Sequence, residues 1–250
     1  MQNSAQYTFI VRTKKTISGK RLRLFQYKDG FRYTSDTLFL YDFISHFKIK
    51  GNVLDIGAGC GILGLLLARD FNITLNSVEI LPQMYELCKI NIAENNIEAK
   101  AICCDFLNLD ICNFDFIVSN PPFYTDKVFK SECDKLKAAR YSDSLPLEQF
   151  LVSSYKKLKT NGELFFCFDA KRIDEVFTEI GKIKNFKPIN IRFVHPKINK
   201  NSKLALLRVK KNSKSHLEVM PPLLVSDEIG YTNESSDIFK KASTESIDFI

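Results

Sequence analysis

Apolar residues fall along this chain in short blocks that alternate between two periods. Asn52 to Ile56 (NVLDI) is a near-continuous apolar run of the kind that makes a short buried strand, and a glycine-rich turn follows it at once. From Ile62 to Ala68 apolar positions recur at helical spacing. A second strand is predicted at Ile73 to Glu79, leading into a helix that Pro82 can open at its first turn and that runs to about Asn95. The alternation continues with strands at Ala99 to Cys103 and Asp115 to Ser119, a helix at Leu147 to Leu158, a strand at Glu163 to Asp169 and a helix at Ile173 to Gly181. Two β-rich runs, Ile189 to His195 and Leu204 to Lys210, are close enough to pair as a hairpin.

Strands alternating with helices predict an α/β fold, a doubly wound and mostly parallel sheet with a C-terminal antiparallel hairpin at its edge. A chain of 250 residues suits one well-cored domain with a short extension and leaves no room for two full ones. The division expected is a basic N-terminal arm, 1–32, and a single domain, 33–250. Between Asn120 and Leu145 lies a polar stretch with no clear element, and loops of that length usually cover an active site or are disordered.

Charge changes the picture more than composition does. The net charge is +7, and Arg12 to Arg32 alone holds eight bases (Arg12, Lys14, Lys15, Lys20, Arg21, Arg23, Lys28, Arg32) against Asp29. A second segment, Lys197 to Lys214, carries Lys197, Lys200, Lys203, Arg208, Lys210, Lys211 and Lys214 with no acid, which leaves 21 bases and 28 acids elsewhere. An acidic body with two basic segments points to a polyanionic partner; two solvated basic faces are the plainer alternative. No apolar run is long enough to span a bilayer and the N-terminus has no secretory pattern, so a cytoplasmic protein with no membrane partner is expected. Seven cysteines without a C-x-x-C pair predict buried free thiols rather than disulfides or zinc, and His46, His195 and His216 lack partners at ligand spacing, so no metal is expected.

Val53 to Gly61 reads V-L-D-I-G-A-G-C-G, a strand turning through Gly57, Gly59 and Gly61 into a helix. Glycines suit a turn that a ligand approaches closely, yet Ile62 stands where the dinucleotide fingerprint needs a third glycine. Glu79, about twenty residues on and at a strand end, is placed to accept from both hydroxyls of a ribose. Asp105 ends the next strand, where its carboxylate can take the exocyclic amine of an adenine with Phe106 beside the ring. Each acid alone is as readily a surface charge. Asp55, Glu79 and Asp105 at three successive strand ends are expected to point together into the crevice where such sheets bind ligands.

After the fourth strand comes Ser119-Asn120-Pro121-Pro122-Phe123. Consecutive prolines stiffen the backbone, so the Asn120 side chain and the Pro121 carbonyl are preset in direction. An exocyclic amine is a poor nucleophile because its lone pair is delocalised. Two acceptors, Asn120 and the Pro121 carbonyl, can hold its hydrogens and leave the lone pair facing an electrophile, while Phe123 stacks on the base.

These segments resemble the class I S-adenosylmethionine methyltransferases that carry an N-P-P-[FY] signature, and within them the bacterial tRNA(Val) adenine-N6 methyltransferases that modify the adenine 3′ of the anticodon. R-Y-T-S-D-T-L-F-L (Arg32 to Leu40), V-L-D-I-G-A-G-C-G, S-V-E-I (Ser77 to Ile80), F-D-F-I-V-S-N-P-P-F-Y (Phe114 to Tyr124) and A-R-Y-S-D-S-L-P-L (Ala139 to Leu147) carry the likeness. The resemblance implies a seven-stranded Rossmann-like sheet and S-adenosylmethionine as cofactor. It implies cofactor contacts from Thr34, Asp36, Asp55, Gly57, Ala58, Gly59, Glu79, Ile80, Asp105, Phe106 and Asn120, and catalysis at Asn120, Pro121, Pro122 and Phe123. It also implies tRNA as the partner, held by the two basic segments, with a monomer expected. For Thr34 and Asp36 a helix-capping role stands equally beside the cofactor role, Ser35 or Asp36 capping a helix of Leu38 to Phe47. Relatives often have tyrosine where this chain has Phe123, and phenylalanine there also resembles the rRNA guanine-N2 enzymes, so both bases stay open. A release-factor glutamine methyltransferase is a further alternative, opposed by the basic segments. A non-catalytic RNA-binding module is another, opposed by the intact acids and Asn120. Tyr124, Arg140 and Tyr141 are candidates for substrate contact or for packing, and Gly230 to Glu234 (GYTNE) is similar to the family's C-terminus without an assigned role.

Overall fold

A computed structural model describes residues 7–10, 20–28, 32–121 and 145–249. In chain order the first half contains β1 (Tyr7–Ile10), β2 (Leu22–Tyr27), α1 (Ser35–Ser45), β3 (Gly51–Ile56), α2 (Ile62–Asp70), β4 (Ile73–Glu79), α3 (Pro82–Glu94), β5 (Ala99–Cys103) and β6 (Phe114–Ser119). The second half contains α4 (Leu147–Lys157), β7 (Leu158–Asp169), α5 (Ile173–Gly181), β8 (Phe186–His195), β9 (Leu204–Lys211), β10 (Glu218–Val219), β11 (Leu223–Leu224), α6 (Asn233–Ala242) and β12 (Thr244–Phe249).

The main sheet runs β1-β5-β4-β3-β6-β7-β9-β8-β10, with β11 also on β8. The expected seven strands form its centre, from β5 to β8, and β9 is antiparallel to both its neighbours. Three further strands lengthen it. Antiparallel β1 adds to β5, and β10 and β11 add in parallel to β8. Successive residues of the central strands enter opposite layers, so Val53 and Phe165 face α1, α2 and α3 whereas Leu54 and Phe166 face α4 and α5. Both faces are therefore covered, which is why β3, β6 and β7 carry near-continuous apolar runs.

The ends of the chain hold each other. Leu22, Leu24 and Gln26 of β2 are buried alternately, and β2 pairs in parallel with β12 as a separate two-stranded sheet. Asn91 in the last turn of α3 and Asn95 at its C-cap take the place of a strand for β2. Their side-chain oxygens accept from the Phe25 and Arg23 N–H groups at 2.7 and 2.9 Å, and their amide nitrogens donate back to the Phe25 and Arg23 carbonyls. Buried Arg69 donates to the Ala242 carbonyl at 2.6 Å and so fastens the end of α6 to α2.

Two local expectations are corrected. The helix expected at Leu38 to Phe47 begins a turn earlier, at Ser35; Thr34 occupies the N-cap, without a side-chain capping bond, so neither Ser35 nor Asp36 caps it. Cys60, Cys88 and Cys167 are buried free thiols as expected, Cys103 and Cys104 are half-buried, and Cys112 is exposed because it lies in the turn before β6.

Candidate active site

Strand order reverses between β3 and β6, and their C-terminal ends open the crevice in which doubly wound sheets bind ligands. Ile56 pairs with Ser119, so Gly57 and Asn120 leave the sheet side by side. The buried Ser119 hydroxyl donates to the Ile56 carbonyl at 2.9 Å and fixes the two chain exits together.

Gly57 and Gly59 have φ of +63° and +57°. A Cβ at Gly57 would meet nothing within 4 Å and one at Gly59 only Met84 Cε at 3.8 Å, so the space over the turn is open to a ligand. Gly64 is small for another reason: a Cβ there would lie 2.9 Å from Asp55 Oδ2, which accepts from the Gly64 N–H at 2.9 Å. Asp55 thus sits beneath the turn, 1% exposed, holding the first turn of α2. Burial pushes its carboxyl up to about 7; the Gly64 bond opposes this and the charge of Glu79 adds to it.

Glu79 ties the same turn to β4. Its Oε2 accepts from the Gly59 N–H at 2.8 Å and its Oε1 from the Leu81 N–H at 2.9 Å. Each carboxylate oxygen can accept more than one hydrogen bond. Beside it Gly57, Ile80, Asp105, Phe106, Pro121 and Leu145 line a narrow cleft. Phe106 is buried against Phe150, and Asp105 caps the short 3-10 turn at Phe106–Asn108 by accepting from the Leu107 N–H at 2.9 Å. A slot with apolar walls and a carboxylate at its rim suits a flat ring that carries an amine.

Asn120 is held from two sides. Its Nδ2 donates to Thr37 Oγ1 at 2.7 Å, and its Oδ1 accepts from the Cys167 thiol at 2.7 Å. Thr37 comes from the first turn of α1, which also carries half-buried Asp36 after exposed Thr34. Burial, then the charge of Asp36, push the Cys167 thiol well above its usual value, so Asp36 bears on the same spot.

Three groups of the expected residues therefore meet at one edge of the sheet. Asp55, Gly57, Ala58, Gly59 and Glu79 gather at the glycine turn, with Gly59 bonded to Glu79, Ala58 to the Val78 carbonyl and Gly64 to Asp55; Ile80, Asp105, Phe106 and Pro121 line the cleft; Asn120 joins the start of α1, where Thr34 and Asp36 lie. Pro122, Phe123, Tyr124, Arg140 and Tyr141 lie outside the described residues, as do Arg12, Lys14, Lys15, Asp29 and Cys133. Thr37, Cys167 and Gly64 went unrecognised in the sequence. Thr37 had a signal, a polar residue one turn after Thr34 on an apolar helix; Cys167, within F-F-C-F, had none.

The basic segments divide. Arg23 pairs with Glu94, and Arg32 with Asp248 at 2.7 Å, while Lys20, Arg21 and Lys28 are exposed. β9 starts opposite Asp169, at the site's edge of the sheet, and its other end lies at the opposite edge. Exposed Lys197, Lys200 and Lys203 precede it and share the site's edge. Arg208 instead forks onto Glu163 at 2.8 Å, Lys210 joins the same carboxylate at 2.8 Å, and Lys211 donates to the Tyr155 and Leu158 carbonyls. These three cations serve the protein's own packing, which corrects the reading of the whole Lys197 to Lys214 segment as one polyanion surface. Among the described residues no His, Cys, Asp and Glu cluster suits a metal, and no helix is long and apolar enough to cross a membrane.

Residues 34–174 match the methyltransferase small domain family. A Flavobacterium johnsoniae protein named tRNA1(Val) (adenine(37)-N6)-methyltransferase is 28% identical over 89% of this chain and 96% of its own length. The Flavobacterium psychrophilum protein of the same name is 30% identical over 76% of this chain and 82% of its own. Among solved structures, a predicted O-methyltransferase from Agrobacterium tumefaciens superposes with a TM-score of 0.64 at 16% identity, covering 86% of this chain and all of its own. The T. thermophilus 16S rRNA N2 methyltransferase RsmC, solved with AdoMet and guanosine, gives 0.54 at 19% identity, over 83% of this chain and 51% of its own.

Proposed function

Because the chain belongs to the methyltransferase small domain family, we propose that it transfers a methyl group from S-adenosylmethionine to the N6 amine of an adenine in tRNA, the adenine 3′ of the anticodon of tRNA(Val). The observation that supports this reading most is the emergence of Asn120 beside Gly57 at the switch point, with its amide fixed by Thr37 and Cys167.

The residues present fit the cofactor. Open space over Gly57 and Gly59 admits it against the backbone, Glu79 at the end of β4 would turn to its ribose hydroxyls, and the cleft of Ile80, Phe106 and Asp105 matches an adenine ring and its amine. When bound, S-adenosylmethionine supplies a methyl group already activated by a sulfonium. Thr34 and Asp36, at the start of α1, would face its amino-acid end.

On the substrate side Asn120 Oδ1 and the Pro121 carbonyl would each accept one hydrogen of the target amine. That grip turns the nitrogen lone pair out of conjugation and fixes its line of attack, so alignment supplies most of the catalysis and no strong general base is needed. On the sequence reading, Pro122 would stiffen the segment and Phe123 would stack on the base. The target adenine must leave its loop to reach Asn120, at a cost of a few kcal/mol that is least for an unpaired base.

Exposed Lys197, Lys200 and Lys203, with Lys20 and Arg21 of the arm, would engage tRNA phosphates. Such an enzyme acts as a cytoplasmic monomer on this reading. The test is to incubate the protein and labelled cofactor with tRNA from cells lacking the activity, digest, and identify the nucleoside by mass spectrometry. N6-methyladenosine in the anticodon loop of tRNA(Val) is expected. N2-methylguanosine, label on a release factor, or no label in RNA would overturn the reading.

A further inference from the structure

We propose that Thr37 and Cys167 are positioning residues that set the amide of Asn120, so that its oxygen rather than its nitrogen meets the target amine; this rests on the role given to Asn120 above. An asparagine amide is nearly symmetric in shape and its last torsion is broad and two-fold, so an unheld amide presents either end. At an amine that needs an acceptor, the wrong end places donor against donor.

Three separate elements converge on this one amide. Asn120 follows β6, Thr37 is in the first turn of α1, and Cys167 is near the end of neighbouring β7. The Cys167 S–H, though a weak donor, gives its proton to the amide oxygen, and the Thr37 hydroxyl accepts from the amide nitrogen, so the pair together favours this one orientation. Thr37 is 3% exposed and Cys167 2%, so neither can exchange its partner for water. Burial and the charge of Asp36 keep the thiol protonated, and hence a donor, through neutral pH. The thiol uses one of the two lone pairs on Oδ1, and the second remains for the substrate.

The experiment compares Thr37→Val and Cys167→Ala with Thr37→Ser and Cys167→Ser, reading kcat and KM on tRNA and S-adenosylmethionine affinity by calorimetry. Val and Ala should lower kcat about 5- to 10-fold, the worth of one neutral hydrogen bond, with KM and cofactor affinity within about 2-fold, and the serine variants should restore it. In an Asn120→Ala background the same two substitutions should cost nothing further. Unchanged kcat in Thr37→Val and Cys167→Ala overturns the proposal. So does equal impairment of the serine variants, a parallel loss of cofactor affinity, or a full additional loss in the Asn120→Ala background. Normal turnover by Asn120→Ala alone would instead remove the reading of the site itself, so the two failures are told apart.

Discussion

The two ends of the parallel strands treat their carboxylates differently. At the C-terminal ends Asp55 accepts from the Gly64 N–H, Glu79 from the Gly59 and Leu81 N–H groups, and Asp105 from the Leu107 N–H and, at 3.3 Å, from the Asn108 side-chain amide. At the opposite edge Asp115 takes Lys159 at 2.8 Å as well as the Asn52 N–H, and Glu163 takes Arg208 and Lys210. A cation neutralises an acid and occupies its lone pairs, whereas a neutral N–H donor orients it without cancelling its charge. The first edge is thus prepared for binding and the second for holding the sheet together.

The largest expected effect comes from the second edge. Glu163→Ala strands Arg208 and Lys210 at a largely buried site, and should cost about 3 kcal/mol in chemical denaturation while leaving S-adenosylmethionine affinity unaltered. Glu79→Gln should do the reverse, weakening cofactor binding by about 2 kcal/mol, or roughly 30-fold in Kd by calorimetry, with a smaller change in unfolding. If both variants lose stability and neither loses affinity, the two edges are not specialised in this way.

The edges also differ in sign with pH. Burial raises Asp55 to about 7, above its unfolded value, so the stability it contributes is complete below about pH 4 and is lost as pH rises through about 7. At Glu163 burial acts upward too, but the bonds and charges of Arg208 and Lys210 overcome it and its carboxyl is lowered. Its contribution is present above the ordinary carboxylate range and disappears as pH falls through the lowered value. Denaturation of Asp55→Asn between pH 5 and pH 8 should show a flatter alkaline decline than the parent; an identical decline would remove Asp55 as its source.

The smallest effect concerns RNA. Reversing Lys197, Lys200 and Lys203 should weaken tRNA binding and reduce the slope of log affinity against log salt by about 0.7 to 0.9 for each phosphate that is no longer neutralised. Lys210→Glu should chiefly lower thermal stability, because its ammonium serves Glu163. Equal effects of the two on the salt slope would return the whole segment to the RNA surface.

Much of this was legible because the main strands are buried on both faces. Residues 53–56, Phe114–Ser119 and residues 164–168 stand out as largely apolar runs, and the acids at or near the ends of successive strands follow from the register. β2 was legible in principle, since Leu22, Leu24 and Gln26 alternate, but Arg23 between them and Lys20 and Arg21 before them drew the segment toward a polyanion. β12, T-E-S-I-D-F, has too little apolar pattern to be seen before its partner is known. The side-chain ladder of Asn91 and Asn95 was hidden for a similar reason, because its meaning depends on β2, about seventy positions earlier. Hydrogen bonds across 83 and 47 residues bring Thr37 and Cys167 to Asn120, and no local pattern encodes them. Chemistry written within one strand end was readable; chemistry assembled between elements was not.

Single-turnover methylation of tRNA by Asn120→Ala, with cofactor affinity measured on the same preparation, tests the central claim most directly. Methyl transfer should fall about 100-fold or more, as when a transition-state hydrogen-bonding partner is removed, with the Kd for S-adenosylmethionine unaltered. A rate equal to the parent's would contradict the proposed grip on the amine.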